Sequence, residues 1–354
     1  MTVFWFTLAL AYIFSLLSRY FSKPVSIGPT YIQPSVFPAF ITMAVLALVA
    51  GLRNNIGDTV YYVHSYVTGI YTWETLDFNG DFGFIILQMI LQSISRDPQI
   101  MIFVTALITN VLIVAVIYRY SRIVELSIFI YITSGMYLTS MNGIRQYLAA
   151  AIIFTSTKYL LNGDWKKYVL IVLLASTIHK SALILLPIYF VVRKKAWTKQ
   201  TVLLVAVAVV IVIGFNQFMG ALFSVIGDSQ YGQYQNFSEG GANILRVVVA
   251  LIPLVIAFLG RDKLRVLFPN IDYIVNLNLI NCVFMIISTQ NWIFARFSIY
   301  FGLYQLILLS WVIKVFREKD QKLMYYGILV CYFIFYFYEC VIIFGTQYGS
   351  NFIK

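Results

Sequence analysis

Charge is scarce in this chain of 354 residues: only 11% are Asp, Glu, Lys or Arg, while 61% are hydrophobic. That composition excludes a soluble globular protein, because no single core could hide so much apolar surface. No polar stretch is long enough for a separate soluble domain, so residues 1–354 read as one integral membrane domain. Only two histidines are present, at unrelated spacing, which argues against a zinc site. The three cysteines, Cys282, Cys331 and Cys340, all fall in apolar segments and read as packing residues rather than disulfide or metal partners. No P-loop or Gly-rich nucleotide fingerprint occurs, and no span carries the chain of acids expected of a proton pump. Asp77, Asn79 and Asp81 imitate the start of an EF-hand loop, but Phe82 stands at the glycine position and Gln88 at that of the bidentate glutamate. No metal and no cofactor are expected. The first run, MTVFWFTLALAYIFSLL, lacks a basic leader region and a small-residue cleavage site, so it reads as an uncleaved span.

Acids are fewer than bases, and the net charge is +11. Such a balance suits either nucleic acid or an anionic cytoplasmic leaflet, and the distribution of the charges favours the leaflet, with no nucleic-acid partner. Six clusters punctuate the apolar runs: Arg19 and Lys23; Arg119 and Arg122; Lys166 and Lys167; Arg193 to Lys199; Arg261 to Arg265; Lys314 to Lys322. Placing all six inside requires an even number of crossings between successive clusters. Spans are then expected near 3–17, 36–51, 99–118, 124–140, 144–161, 201–217, 244–259, 272–288, 297–314 and 324–344. The segment 82–95 must stay outside as an amphipathic interfacial helix. Residues 168–192 lie between two basic loops, so the chain must enter the membrane and return. Each arm has about 12 residues, roughly 18 Å of helix against a core of about 30 Å, which predicts a short hairpin with Ile178, His179, Lys180 and Ser181 at its tip. The fold class is therefore all-α, polytopic, with about 12 crossings, one pair of them the hairpin.

On this topology a handful of polar residues collects at the outer face, away from ATP. The segment GLRNNIGDTVYYVHSY (51–66) places Arg53 at the end of a span, followed by Asp58, Tyr62 and His64. An interfacial anchor of one Arg and two Tyr is the plainer explanation, but it leaves Asp58 and His64 unexplained. Arg145 stands between Asn142 and Gln146 at the outer start of a span, where the positive-inside rule disfavours a cation; a guanidinium there can fork onto two phosphate oxygens. His179 and Lys180 interrupt an apolar stretch, and Arg296 repeats the outward-arginine pattern. The outer loop 218–243 is rich in Tyr, Gln, Asn and Gly, side chains that suit sugar faces and hydroxyls, although an ordinary flexible loop has the same composition.

The order GLR-x-x-x-GD-x-x-x-Y, then IRQ-x-LA, then a histidine and serine before LILLP resembles the EpsG family. Here the motifs read Gly51-Leu52-Arg53, Gly57-Asp58, Tyr62, Ile144-Arg145-Gln146, Leu148-Ala149, and His179 with Ser181. The resemblance covers most of the first 190 residues; beyond residue 200 only hydropathy and FARFSIYFG are similar. It implies a Wzy-like exopolysaccharide polymerase, a glycosyltransferase of the bacterial cytoplasmic membrane joining undecaprenyl-pyrophosphate-linked oligosaccharide repeat units on the outer face. Membrane lipids and other exopolysaccharide assembly proteins are the implied partners. The chemistry then assigns Asp58 or His179 as base and Arg53, Arg145 and Arg296 to pyrophosphate, with Tyr62, His64, Asn142, Gln146 and Lys180 around the substrate. A lipid-linked glycan ligase needs the same donor chemistry, and a flippase of the same lipid is the alternative outside catalysis.

Overall fold

The structure is a computed structural model, and it describes residues 1–25, 32–74, 76–226 and 240–352. Among the described residues it is helical throughout apart from one two-stranded ladder. The chain divides into two compact units, residues 1–191 with 306–354, and residues 192–305.

The first unit opens with α1 (Thr2–Tyr20), a short antiparallel pair β1 (Lys23–Pro24) and β2 (Ile32–Gln33), and α2 (Val36–Gly51). Then come α3 (Thr59–Thr68), α4 (Phe82–Ile94), α5 (Gln99–Tyr120), α6 (Val124–Thr133), α7 (Met136–Asn142), α8 (Ile144–Thr155), α9 (Thr157–Asn162), α10 (Trp165–Ile178) and α11 (Leu185–Val192). Long apolar runs form helices because only a helix satisfies its own backbone without water. The core of the unit lies where these helices face one another: Ile113, Ile128, Tyr131, Tyr137, Leu148 and Phe154 are almost fully buried.

Hydrogen bonds sort the helix termini of this unit into two groups. At one end, Arg19 closes α1 and pairs with the buried Glu125 at the start of α6, with 2.6 Å between Nη2 and Oε1. There Tyr118 donates to the Pro34 carbonyl, and the Trp311 indole donates to the Tyr120 carbonyl at 2.9 Å. At the other end, Gln99 Nε2 donates to the Gly51 carbonyl at 2.6 Å, and Asp58 N–H donates to Asn142 Oδ1 at 2.7 Å. The first end carries Arg19, Lys23, Arg119, Arg122 and Lys314, so the two ends differ sharply in charge.

The hairpin region shows a clear reversal. α10 stops at His179 in extended conformation (φ −153°, ψ 114°), and a 3₁₀ turn over Lys180–Ile184 leads into α11. Beyond it, the rings of Tyr168 and Tyr189 lie 4.8 Å apart, and Tyr168 Oη donates to the Leu185 carbonyl at 3.4 Å. A continuous helix would separate residues 21 positions apart by roughly 30 Å. The two arms therefore run back along each other.

The second unit holds α12 (Lys199–Ile213), α13 (Phe215–Ile226), α14 (Ile244–Leu259), α15 (Arg261–Leu267), α16 (Ile271–Ser288) and the start of α17 (Ser298–Val312); α18 (Glu318–Tyr336) belongs to the first unit and runs on as a π-helix through Ile343. α12 bends by 96° into α13, and α14 by 84° into α15. Arg265 Nε lies 3.0 Å from Asp272 Oδ2 and ties α15 to the first turn of α16.

Five described helices are long and apolar enough to cross a membrane, or up to eight if each of three bent pairs counts as one span. The expected count of about 12 is not reproduced by this criterion. α2, with 16 residues, is two short of the 18 required, the span expected at 144–161 breaks at Ser156, and the hairpin arms fall well below spanning length. Part of the loop expected at 218–243 is helical, as the end of α13; its heart, 227–239, lies outside the described residues.

Candidate functional site

Asp81 gathers the charges that the sequence scatters. It occupies the N-cap position of α4, yet its carboxylate makes no capping bond to that helix. Oδ2 accepts from Arg145 Nη1 at 2.9 Å and meets His179 Nδ1 at 2.9 Å, while Oδ1 accepts the Lys180 backbone N–H at 2.9 Å. Three elements meet here: the start of α4, the first turn of α8 and the hairpin tip. Gly83 makes the approach possible, since a Cβ on it would stand 2.2 Å from Thr177 Oγ1 and 2.7 Å from Thr177 Cβ. Any larger residue at position 83 would push the end of α10, and His179 just beyond it, away.

Burial works to raise the Asp81 carboxyl, but the His179 hydrogen bond and charge, the Lys180 N–H and the Arg145 cation together hold it below the usual carboxylate range. An ionised carboxylate only accepts, so Nδ1 of His179 carries the proton of this bond, and in the corresponding neutral tautomer the lone pair is at Nε2. The Asp81 side chain is 6% exposed, His179 18% and Arg145 43%, a gradient that buries the carboxylate and leaves the imidazole and the guanidinium reachable. The Arg145 guanidinium lies 5.9 Å from the Tyr62 ring centroid and 6.0 Å from that of Phe84. These two rings meet edge to face, and cation–π attraction holds the guanidinium over them.

Arg53, expected at a pyrophosphate, is taken up in a buried set of hydrogen bonds. It is 1% exposed. Its Nη2 donates to the Met141 carbonyl at 2.6 Å, Nη1 to the Ala50 carbonyl, and Nε to Thr59 Oγ1 at 3.3 Å. Burial pulls its pKa down to about 10, which still leaves a cation at neutral pH. Engaged on every nitrogen, Arg53 braces the α2–α3 loop against the end of α7. The carboxylate shared by Arg145 and His179 is that of Asp81, and Asp58, the other residue expected as base, is not part of that set of bonds. The Asp58 N–H instead takes Asn142 Oδ1. Gly57 precedes it at φ +51°, and a Cβ there would lie 2.2 Å from the same Asn142 oxygen, so both conformation and space require glycine.

A family model matches residues 36–350, nearly the whole chain, and its description is the EpsG family. The chain belongs to the EpsG family. No curated protein and no solved structure matches it. Membership fits a Wzy-like polysaccharide polymerase in broad terms and a lipid-linked sugar as the general substrate class.

The remaining expected site residues divide by position. Tyr62 and Arg145 stand at the Asp81 cluster, and Lys180 reaches it through its backbone. Gln146 is buried behind Arg145, while His64 is exposed on α3, its carbonyl accepting from Thr68 Oγ1. Arg296 lies in the second unit, in a 3₁₀ turn over Trp292–Arg296, its guanidinium 5.2 Å from the Trp292 ring centroid. In the sequence Asp81 stands out only in the rejected EF-hand match and not as a site residue. An acid before an apolar helix reads as an ordinary cap, and its partner His179 lies 98 residues away. The usable signal was stoichiometric: Arg145 and His179 need a carboxylate, and Gly83 beside Asp81 marks a close approach.

Proposed function

We propose that this EpsG-family protein is a polymerase that transfers a lipid-linked oligosaccharide onto a second lipid-linked unit. The observation carrying this reading is the shared carboxylate of Asp81, with His179 on one side and a half-exposed Arg145 on the other. An acceptor sugar hydroxyl attacks the anomeric carbon of the donor. Its proton passes to His179 Nε2, the new C–O bond forms, and the bond to the pyrophosphate oxygen breaks with its electron pair. Asp81 stabilises the imidazolium that results, as an orienting acid does in other base-assisted transfers. Arg145 stabilises the departing pyrophosphate, with its aromatic bed fixing the guanidinium plane. Arg296 is the second candidate for the anion, and Gln146, His64, Asn142 and Lys180 stand as surrounding groups.

The same proposal sets the orientation. The basic end of the first unit faces the cytoplasm of a bacterial membrane, and the end bearing the Asp81 cluster faces out, in line with the positive-inside rule. About 12 crossings follow if α10 and α11 dip in and return and α4 lies at the outer interface. Undecaprenyl pyrophosphate is the carrier this reading takes, and other exopolysaccharide assembly proteins are its neighbours.

The deciding experiment supplies purified protein in detergent with lipid-linked repeat units. Extended glycans on the lipid are the expected product, and His179→Gln should reduce their formation on the order of 100-fold. Single units left unextended by the parent protein, or full extension by His179→Gln, would overturn the proposal. Detergent removes any membrane to cross, so extension there excludes a purely transporting role. Long glycans accumulating unattached in a deletion strain would identify a ligase instead.

A further inference from the structure

The segment that follows the π-helix, residues 345–352, lies along the loop that follows α2, almost 300 residues away in sequence. Asn54 N–H donates to the Gly349 carbonyl at 2.9 Å, and Gly349 N–H donates to Asn55 Oδ1 at 2.7 Å. Ser350 Oγ donates to the Leu52 carbonyl at 2.6 Å, and Tyr348 Oη to the Val49 carbonyl at 2.9 Å. These bonds take up backbone groups that the irregular loop could not satisfy within itself. The loop they hold is the one that sends Arg53 to the Met141 carbonyl and the Asp58 N–H to Asn142. Met141 and Asn142 end α7, and Arg145 springs from the first turn of α8 immediately beyond. Two sets of hydrogen bonds, joined by the short backbone of the 52–58 loop, therefore connect the late segment to the joint from which Arg145 reaches Asp81.

We propose that residues 345–352 form a strap that positions Arg145, acting through the 52–58 loop and the α7–α8 joint. Its catalytic consequence rests on the reading of the Asp81 cluster as the active site; its mechanical part does not. The strap bonds described above reach residues 49–55 rather than the cluster, so these are positioning residues. Loss of the strap should loosen the joint and lower turnover while leaving substrate binding largely intact.

The test uses full-length Gly349→Leu, purified in detergent. A Cβ at Gly349 would stand 2.6 Å from Asn54 Oδ1 and 2.8 Å from Asn55 Cγ, so the larger side chain must either lift the strap or displace these two asparagine side chains, which breaks the bond from Gly349 N–H to Asn55 Oδ1. Amide hydrogen exchange should quicken about tenfold in residues 52–59 and also in 140–147, as expected when a local restraint is released. Turnover should fall about tenfold, with KM for the lipid-linked unit changed less than about twofold, since small misplacements act on the transition state. Ser350→Ala, which removes one bond, should shift both readouts in the same direction by less, and serves if Gly349→Leu does not fold. Faster exchange confined to 345–352, with 140–147 protected as before, overturns the strap. So does an unchanged turnover in folded Gly349→Leu when His179→Gln is inactive. If His179→Gln is itself fully active, the active-site reading fails, and exchange in 140–147 alone then judges the strap.

Discussion

Asp81 serves three donors with two oxygens, and its neighbours determine what each substitution does. Asp81→Asn keeps the volume but removes the charge that fixes the His179 tautomer and balances Arg145. Turnover should fall on the order of 100-fold with KM nearly unchanged, because the lost interaction strengthens only as the imidazolium forms. Turnover within twofold of the parent would remove Asp81 from the mechanism. The pH dependence has a definite sign. The folded carboxyl is held below its unfolded value, so the stability it contributes is complete above the unfolded pKa of about 3.9 and is lost as pH falls through the lower, folded value. The melting temperature of the parent minus that of Asp81→Asn should thus stay level from about pH 8 to pH 5 and shrink below about pH 4. Arg53→Lys is the contrasting case. An ammonium cannot serve the Met141 and Ala50 carbonyls and Thr59 together, and a buried unpaired carbonyl costs about 1–3 kcal/mol. Reduced thermal stability with KM preserved is expected; a raised KM in a protein of normal stability would return Arg53 to substrate binding.

Elements matter here chiefly by where they stop. α10 ends one residue short of His179, and the extended backbone at that residue turns the imidazole toward α4 rather than along a helix face. α4 must come close enough to receive it, which Gly83 allows. Gly83→Ala should therefore damage activity although residue 83 bonds nothing in the cluster: with the Thr177 backbone carbon only 3.0 Å from the added Cβ, the helix itself has to move. A loss of about tenfold or more in turnover is expected for a shift near 1 Å. Full activity in Gly83→Ala would mean the two helices can part without cost to the site. Helix positions of this kind were legible in the sequence, because apolar length and polar interruption mark them. The contact between α4 and α10 was not, since a glycine in an apolar run gives no hint of which helix approaches it.

At the scale of the whole molecule the open quantity is the path through the membrane. A cysteine at Ser181, on the hairpin tip, should react slowly with a small external thiol reagent in intact cells and be shielded by lipid-linked substrate. A cysteine at Lys194 should label only from inside. Ready external labelling at Lys194 would convert α10 and α11 into a single crossing and put the basic cluster of 193–195 outside. The membrane class, the helical architecture and the family were all determined by the sequence, through hydropathy, charge placement and ordered motifs, which are local properties that a chain displays without folding. Arg145, His179 and Tyr62 were singled out for the same reason, as polar groups in costly surroundings. What only the tertiary structure decided is which acid they share. Asp58 and Asp81 both precede helices, and nothing local marks either as the partner of Arg145 and His179. The choice belongs to the reversal at His179, the close approach at Gly83 and the brace of Arg53, contacts between segments as much as 98 residues apart that exist only once the chain has packed.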